Sequence, residues 1–377
     1  MKIFVFGSSL SSTLWNGAAT YYRGIYKNLS RLGYQVTFAE PAIYGRQEHQ
    51  DKDAEIDYAE IIVYRSADEI PRLIREAARA DVVVKHSGVG SEDDRLEKDV
   101  LKCRTLTAKV IFWDVDAPAT LARLGADSKD PFHTLIPSYD AVFTYGGGPS
   151  IKALYEELGA AACVPIYNGL DPETHHPVAA DPSLACDLAF VGHRLPDREA
   201  RVEEFFFRAA ALAPEMSFVL GGEGWGDKQM PSNVRWIGHV PSDRHNVVNC
   251  SARMVLNVNR DSMAKVGFSP PTRIFEAAGA GACVVTDHWE GIEQFFIPGA
   301  EILTAQSGGD VVAALRSVDS NQAANIGFAM LNRAINKHSY ESRAEEVHAA
   351  LRKLFGKRGE QVPHQAARSR RSISLPI

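Results

Sequence analysis

Gly267-Phe268-Ser269-Pro270-Pro271-Thr272-Arg273-Ile274-Phe275-Glu276-Ala277-Ala278-Gly279-Ala280-Gly281-Ala282-Cys283-Val284-Val285-Thr286-Asp287 decides how the chain is read. Ser269 or Thr272 can cap a helix over 271–280, and Pro270 or Pro271 suits its first turn. Ile274, Ala277, Ala278 and Gly281 can face a sheet. Glu276 then sits off the packed face, where a carboxylate can bond vicinal hydroxyls. The helix N-terminus, with Arg273 in its first turn, favours an anion such as phosphate. A Gly/Ala turn follows, and 283–286 reads as a buried strand ending on Asp287.

The same alternation extends in both directions. Strands are expected over 3–6, 36–39, 82–85, 110–113, 141–145 and 163–167. A second set covers 188–191, 217–220, 234–237, 254–258, 283–286 and 301–303. Helical spacing lies between them, as over 21–32, 151–158, 198–212 and 309–316. Strand and helix in alternation give a parallel sheet covered on both faces. The pattern breaks over 168–185, where Pro172, Pro177 and Pro182 fall. The expectation is an α/β protein of two doubly wound, Rossmann-like halves with six strands each. The first spans 1–167, the linker 168–185 and the second 186–339. An amphipathic helix is expected over 340–355, and 356–377 forms a disordered basic tail.

The 377 residues match a two-domain chain in length. With 45% hydrophobic and 23% charged residues, the composition excludes a disordered, collagenous or coiled-coil protein. The net charge of −6 argues against a general nucleic-acid binder. It divides into +4 over 356–377 and −10 over the rest. The tail could touch an acidic surface or a membrane. Five cysteines stand apart with no zinc-type spacing, and no metal is expected. No signal peptide or membrane span is evident, so a cytoplasmic protein is expected.

In doubly wound sheets the ligand lies beyond the carboxyl ends of the strands. The loops there hold the candidate residues. Gly7-Ser8-Ser9 leads toward Asn16-Gly17-Ala18, small residues that admit a close ligand. No dinucleotide fingerprint is present. His86 ends one strand and would point into the cleft. Asp114-Val115-Asp116 ends another; its carboxylates could converge on a cation, act as a base or cap a helix. Tyr145-Gly146-Gly147-Gly148 forms a glycine-rich turn into a helix, either a binding loop or a simple turn. In the second half, Gly192-His193-Arg194 and Arg198 offer a close backbone and forked donors for a diphosphate. Gly222 and Trp225 follow the next strand, with Trp225 placed to stack on a base or sugar. His239 and Val240 could present backbone groups to a base edge.

Taken in order, these motifs resemble the donor half of group 1 glycosyltransferases of the GT-B fold, over 187–304. To about residue 355 the chain resembles the spore-maturation (CgeB-like) glycosyltransferases. Asn16-Gly17-x-Ala19-Thr20-Tyr21-Tyr22-Arg23, Arg273-x-Phe275-Glu276-Ala277 and Pro298-Gly299-x-Glu301-Ile302-Leu303 carry that likeness. The resemblance implies two Rossmann-like domains with the active site between them, and a final helix over 340–355 that crosses back to the first domain. A nucleoside diphosphate sugar, UDP being the expected nucleotide, would serve as donor, without metal or other cofactor. Glu276 would hold the ribose, and Arg194 or Arg198 the diphosphate. Gly192, His193, Gly222, Trp225, His239, Val240, Ser269, Thr272 and Arg273 would complete the donor site. A hydroxyl acceptor of unknown identity would lie near Gly17, His86 and Asp116. His86 or Asp116 would act as base in an inverting reaction, while a retaining course is preferred by analogy.

Two positions depart from the group 1 pattern. Phe268 stands where a second glutamate is usual, and His193 separates Gly192 from Arg194. A nucleotide-sugar epimerase or hydrolase, or a non-catalytic glycan- or nucleotide-binding protein, is the alternative. A monomer or homodimer is expected.

Overall fold

In a computed structural model of the chain, residues 1–12, 18–51 and 55–356 are described. The first half runs β1 (Lys2–Phe6), α1 (Ala19–Arg31), β2 (Gln35–Pro41), β3 (Ala59–Tyr64), α2 (Ile70–Ala77), β4 (Val82–His86) and α3 (Asp93–Asp99). It continues with β5 (Lys109–Asp114), α4 (Ala117–Ala126), α5 (Phe132–Leu135), β6 (Ala141–Thr144), α6 (Gly148–Glu157) and β7 (Cys163–Pro165). These strands form one sheet in the order β3-β2-β1-β4-β5-β6-β7.

The second half runs β8 (Cys186–Val191), α7 (Pro196–Val202), α8 (Arg208–Leu212), β9 (Phe218–Gly221), β10 (Val234–Trp236), α9 (His245–Ser251), β11 (Ala252–Asn257) and α10 (Asp261–Val266). It continues with α11 (Thr272–Gly279), β12 (Val284–Asp287), β13 (Leu303–Ala305), α12 (Gly308–Ser317), α13 (Ser320–Lys337) and α14 (Tyr340–Phe355). Its sheet has the order β10-β9-β8-β11-β12-β13. Every strand pair in both sheets is parallel.

Each sheet therefore has a switch point, between β1 and β4 in the first and between β8 and β11 in the second. Ligands of such sheets lie in the crevice outside those strand ends. Apolar clusters cover both sheet faces. Phe4, Phe6, Val83 and Phe112 pack on one side of the first sheet, and Ile3, Val5, Val84 and Trp113 on the other. The second sheet repeats this, with Leu188, Phe190 and Leu220 on one side and Ala189, Val191 and Val219 on the other.

The first sheet has seven strands rather than six, because β3 adds an edge. Its side chains are mostly half-buried, and Glu60 faces solvent. The long helix α13 is a second departure from the sequence reading. Asp319 and Gln322 close a capping box at its start. Its buried side is made of Ala323, Gly327, Met330 and Ala334. Small residues of this kind leave little apolar periodicity to detect.

The chain crosses between the halves twice, and the crossings lie side by side. The Leu170 amide donates to the His338 carbonyl at 2.7 Å, and the Tyr340 amide to the Leu170 carbonyl at 2.9 Å. Arg343 Nε donates to the Asn168 carbonyl at 3.1 Å. Helix α14 then packs on α1, with Tyr340, Ala344, Val347 and Leu351 in the core of the first sheet. Among the described residues, no helix is long and apolar enough to cross a membrane.

Candidate active site

The halves touch through loops after β5, β6 and β7 of the first sheet and the segment after β11 of the second. The Gly147 amide donates to the Phe268 carbonyl at 2.9 Å. Tyr145 meets Met263, and Asn168 Nδ2 reaches the Pro270 carbonyl at 3.1 Å. Arg260, in the loop after β11, spans the gap to Asp116 at 3.7 Å and also binds Asp197 at 2.9 Å. Asp116, Tyr145, Gly146, Arg260, Met263 and Ser269 line a small cavity there.

On the second-half side, cations gather at the end of β8. Arg198 reaches back from α7 over Gly192, donates to the His193 carbonyl at 2.6 Å and packs on the Phe190 ring. Its buried Nε has no partner among the described residues. Burial, followed by the nearby charges of Arg273 and Arg260, pushes its pKa down to about 10. It stays charged at neutral pH, under repulsion that an anion would relieve. Arg273, in the first turn of α11, makes no ion pair or side-chain hydrogen bond among the described residues. A buried Arg198 and a half-buried Arg273 near a helix N-terminus are arranged for a phosphate group.

Glu276 lies one turn further along α11 and is largely buried. Its carboxylate accepts no hydrogen bond among the described residues. Burial opposes its ionisation, but the charges of His175, Arg273 and His245 outweigh this and hold its pKa below the usual range. His245 Nδ1 stands 3.9 Å from Glu276. Burial, and then Arg273, push His245 down to about 4. An ionised, unsatisfied carboxylate in this position can accept from a diol.

Several side chains named from the sequence take other positions. His86 does not enter the cleft. It is buried between Tyr22, Tyr26 and Trp113, with Nε2 paired to the Tyr26 hydroxyl at 2.6 Å. Burial pushes its pKa down to about 3. Asp114 and Asp116 do not converge. Asp114 is enclosed, accepting from Ser87 at 2.7 Å and from Tyr155 at 2.5 Å, whereas Asp116 is half-exposed in the cleft.

Arg194 is engaged by two carboxylates, Glu199 at 2.6 Å and Asp227 at 2.8 Å, rather than left unpaired. Trp225 stacks on no ligand face. It is fully buried and donates to the Gly192 carbonyl at 2.8 Å, fixing that loop from below. Ser269 does not cap α11; its hydroxyl donates to the Gly267 carbonyl at 2.9 Å, and no side chain caps that helix. Asp287, at the end of β12, is taken up by Arg201 and the Asn259 amide.

Gly222, at φ 120°, lies against the Gly192 carbonyl; a Cβ there would stand 2.3 Å from it. His193 and His239 lie nearly parallel at 6.2 Å beside this loop, and the Val240 side chain is buried. Thr272 is the first residue of α11. Gly17 lies outside the described residues. The structure adds Arg260, Asn259, His175 and His245, which no motif marked. An arginine after a strand was the only signal for Arg260.

With this geometry in view, the chain can be set beside known proteins. Residues 198–349 match a family described as glycosyl transferase-like. No curated protein matches the chain. Among solved structures, Anabaena HepE in complex with UDP and glucose superposes with a TM-score of 0.64 at 12% identity, over 94% of this chain and 100% of that one. Sucrose-phosphate synthase from Thermosynechococcus elongatus gives 0.64 at 13% identity, over 94% and 99%. AviGT4, a glycosyltransferase of avilamycin A biosynthesis, gives 0.60 at 18% identity, over 94% and 98%. The architecture is that of the GT-B glycosyltransferases, two Rossmann-like sheets in one chain. Its second half carries a glycosyltransferase-type domain.

Proposed function

We propose that the chain transfers a sugar from a nucleoside diphosphate sugar, with UDP as the nucleotide, to a hydroxyl acceptor. One observation carries this reading. Arg198 and Arg273 lack carboxylate partners beside the start of α11, and one turn further Glu276 waits ionised without a donor. Cations for a diphosphate and a carboxylate for a ribose diol thus share one helix end. HepE, of like architecture, holds UDP and glucose.

In this reading 1–167 and 186–339 act as two domains, with the acceptor on the first and the donor on the second. The acceptor oxygen bonds to the anomeric carbon as the bond from that carbon to the phosphate oxygen breaks. The electron pair leaves on the phosphate. Arg198, Arg273 and the α11 N-terminus stabilise the charge that develops there, so the step needs no catalytic metal. A retaining course is preferred, with the departing phosphate taking the acceptor proton. His86 is enclosed in the core, and Asp116 faces Arg260. The closer likeness to the spore-maturation glycosyltransferases and a cytoplasmic setting belong to the same reading.

Phe268 favours a second reading, a nucleotide-sugar-binding protein without turnover. It occupies the place of a second glutamate, and its ring packs between the Gly148 and Gly291 backbones. One experiment separates the two. UDP-sugars are supplied with a panel of hydroxyl acceptors in the presence of a chelator, and UDP release is followed. Release above the rate without protein supports transfer or hydrolysis. UDP-sugar binding with no release across the panel supports the second reading.

A further inference from the structure

Three ligand-type side chains from distant parts of the sequence meet beside α11. His175 comes from the segment joining the sheets, His245 opens α9 and Glu276 lies on α11. One ligand atom from each lies within 4.8 Å of the others. Both imidazoles are oriented from behind. His245 Nε2 pairs with the Val240 carbonyl at 3.2 Å, which turns Nδ1 and its lone pair toward Glu276. His175 Nδ1 pairs with the Thr174 hydroxyl at 2.9 Å, so that Nε2 is the nitrogen without a hydrogen bond among the described residues. Metal-binding histidines are characteristically fixed in this way through their second nitrogen. The segment bearing His175 is itself anchored, since Asn246 Nδ2 donates to the Thr174 carbonyl at 2.9 Å.

We propose that His175, His245 and Glu276 form a site for a zinc-class divalent cation, and that this cation and the nucleotide exclude each other by competing for the Glu276 carboxylate. The exclusion rests on the donor reading given above; the metal site does not. Two imidazoles and one carboxylate suit zinc better than magnesium or calcium, which take oxygen ligands. Three protein ligands leave a fourth position for water. Bonds of about 2.0–2.2 Å place tetrahedral ligands about 3.3 Å apart. The cluster must therefore contract by no more than about 1.5 Å, a distance that side-chain rotation covers. Arg273 acts on both His245 and Glu276. Its charge opposes the cation and sets the affinity below that of a closed structural zinc site, which suits reversible occupancy.

The test uses the full chain, freed of metal. Zinc binding is measured by competition with a chromophoric chelator, and Co²⁺ in its place is read by visible absorption. One site per chain is expected. His175→Ala and His245→Ala should each weaken it by at least about 100-fold, the upper end of what losing an outer-shell partner costs. Undiminished binding in either variant overturns the site. Circular dichroism checks folding, and His175→Gln carries the same expectation if His175→Ala unfolds.

UDP is then titrated with a chelator and again with free zinc fixed by a metal buffer, so that zinc held by the diphosphate is not counted. Zinc should weaken UDP at least tenfold in the wild type and leave it unchanged in His175→Ala. Equal UDP affinity in both conditions overturns the exclusion. UDP binding without any zinc site overturns this proposal and leaves the donor reading standing. Zinc bound through both histidines, with no UDP binding in chelator, supports the metal site and overturns the exclusion together with the donor reading.

Discussion

Glu276 and His86 show what a strand- or helix-end residue reveals in a sequence and what it conceals. The place of Glu276 follows from helical spacing alone, because Ile274, Ala277 and Ala278 must face the core. His86 ends β4, where all five residues are buried. A central parallel strand has no solvent face, so its alternation does not tell which side chain leaves the core. The two arginines after β8 differ for a similar reason. Glu199 and Asp227 claim Arg194, and Asp227 is 33 residues away. Truncating Glu276 to Ala should weaken UDP binding by about 10- to 100-fold, the worth of a hydrogen bond to a charged group; calorimetric titration measures it. His86 gives a pH prediction. Its folded pKa of about 3 lies below the unfolded value near 6.5, so the unfolded chain binds the proton first. Stability from this residue is therefore full well above pH 6.5 and falls as acid is added, by about 1.6 kcal/mol between pH 6.5 and 5. His338, also held near 3 by burial, adds in the same direction. His86→Gln should flatten that slope in urea titrations at the two pH values. An unchanged slope would mean that the imidazole can charge within the fold.

At the scale of elements, the loop before α11 joins the halves. Phe268 adopts φ 46°, a left-handed conformation that is costly for an aromatic residue. Its amide donates to the Glu290 carbonyl at 2.6 Å, while its own carbonyl accepts from Gly147. Gly291, at φ 88°, makes room for the ring; a Cβ there would lie 2.1 Å from it. Gly291→Ala should therefore destabilise the protein by about 1–3 kcal/mol and lower turnover more than UDP affinity. Thermal melts and paired kinetic and binding assays distinguish this from a purely global effect. The glycine run at 146–148 reads from sequence as a binding loop or a simple turn, with nothing to say what it meets. That it meets Phe268 depends on how the loops of the two sheets come together, which no local pattern records. Strand β3 and helix α13 escaped the sequence reading for different reasons. One is a half-exposed edge strand carrying Glu60; the other buries mostly alanine and glycine.

Over the whole molecule, the alternation of strands and helices made the doubly wound architecture legible. The return of helix α14 to α1 is recorded by no local pattern and was expected only from the family resemblance; in the structure α14 packs into the core of the first sheet. Leu351, nearly wholly buried there, belongs to the core of the first sheet although the chain has already passed through the second. Leu351→Ala should cost about 2–5 kcal/mol, seen as a lower urea midpoint for signals from the first half. A loss confined to the second half would contradict this packing. The central claim is that a diphosphate and a ribose bind between the halves, on Arg198, Arg273 and Glu276. Calorimetric titration of UDP into the wild type, Arg273→Ala and Glu276→Ala, each confirmed folded, tests it most directly. The account predicts one UDP per chain in the wild type and at least tenfold weaker binding in both variants. Wild-type affinity in both would contradict it.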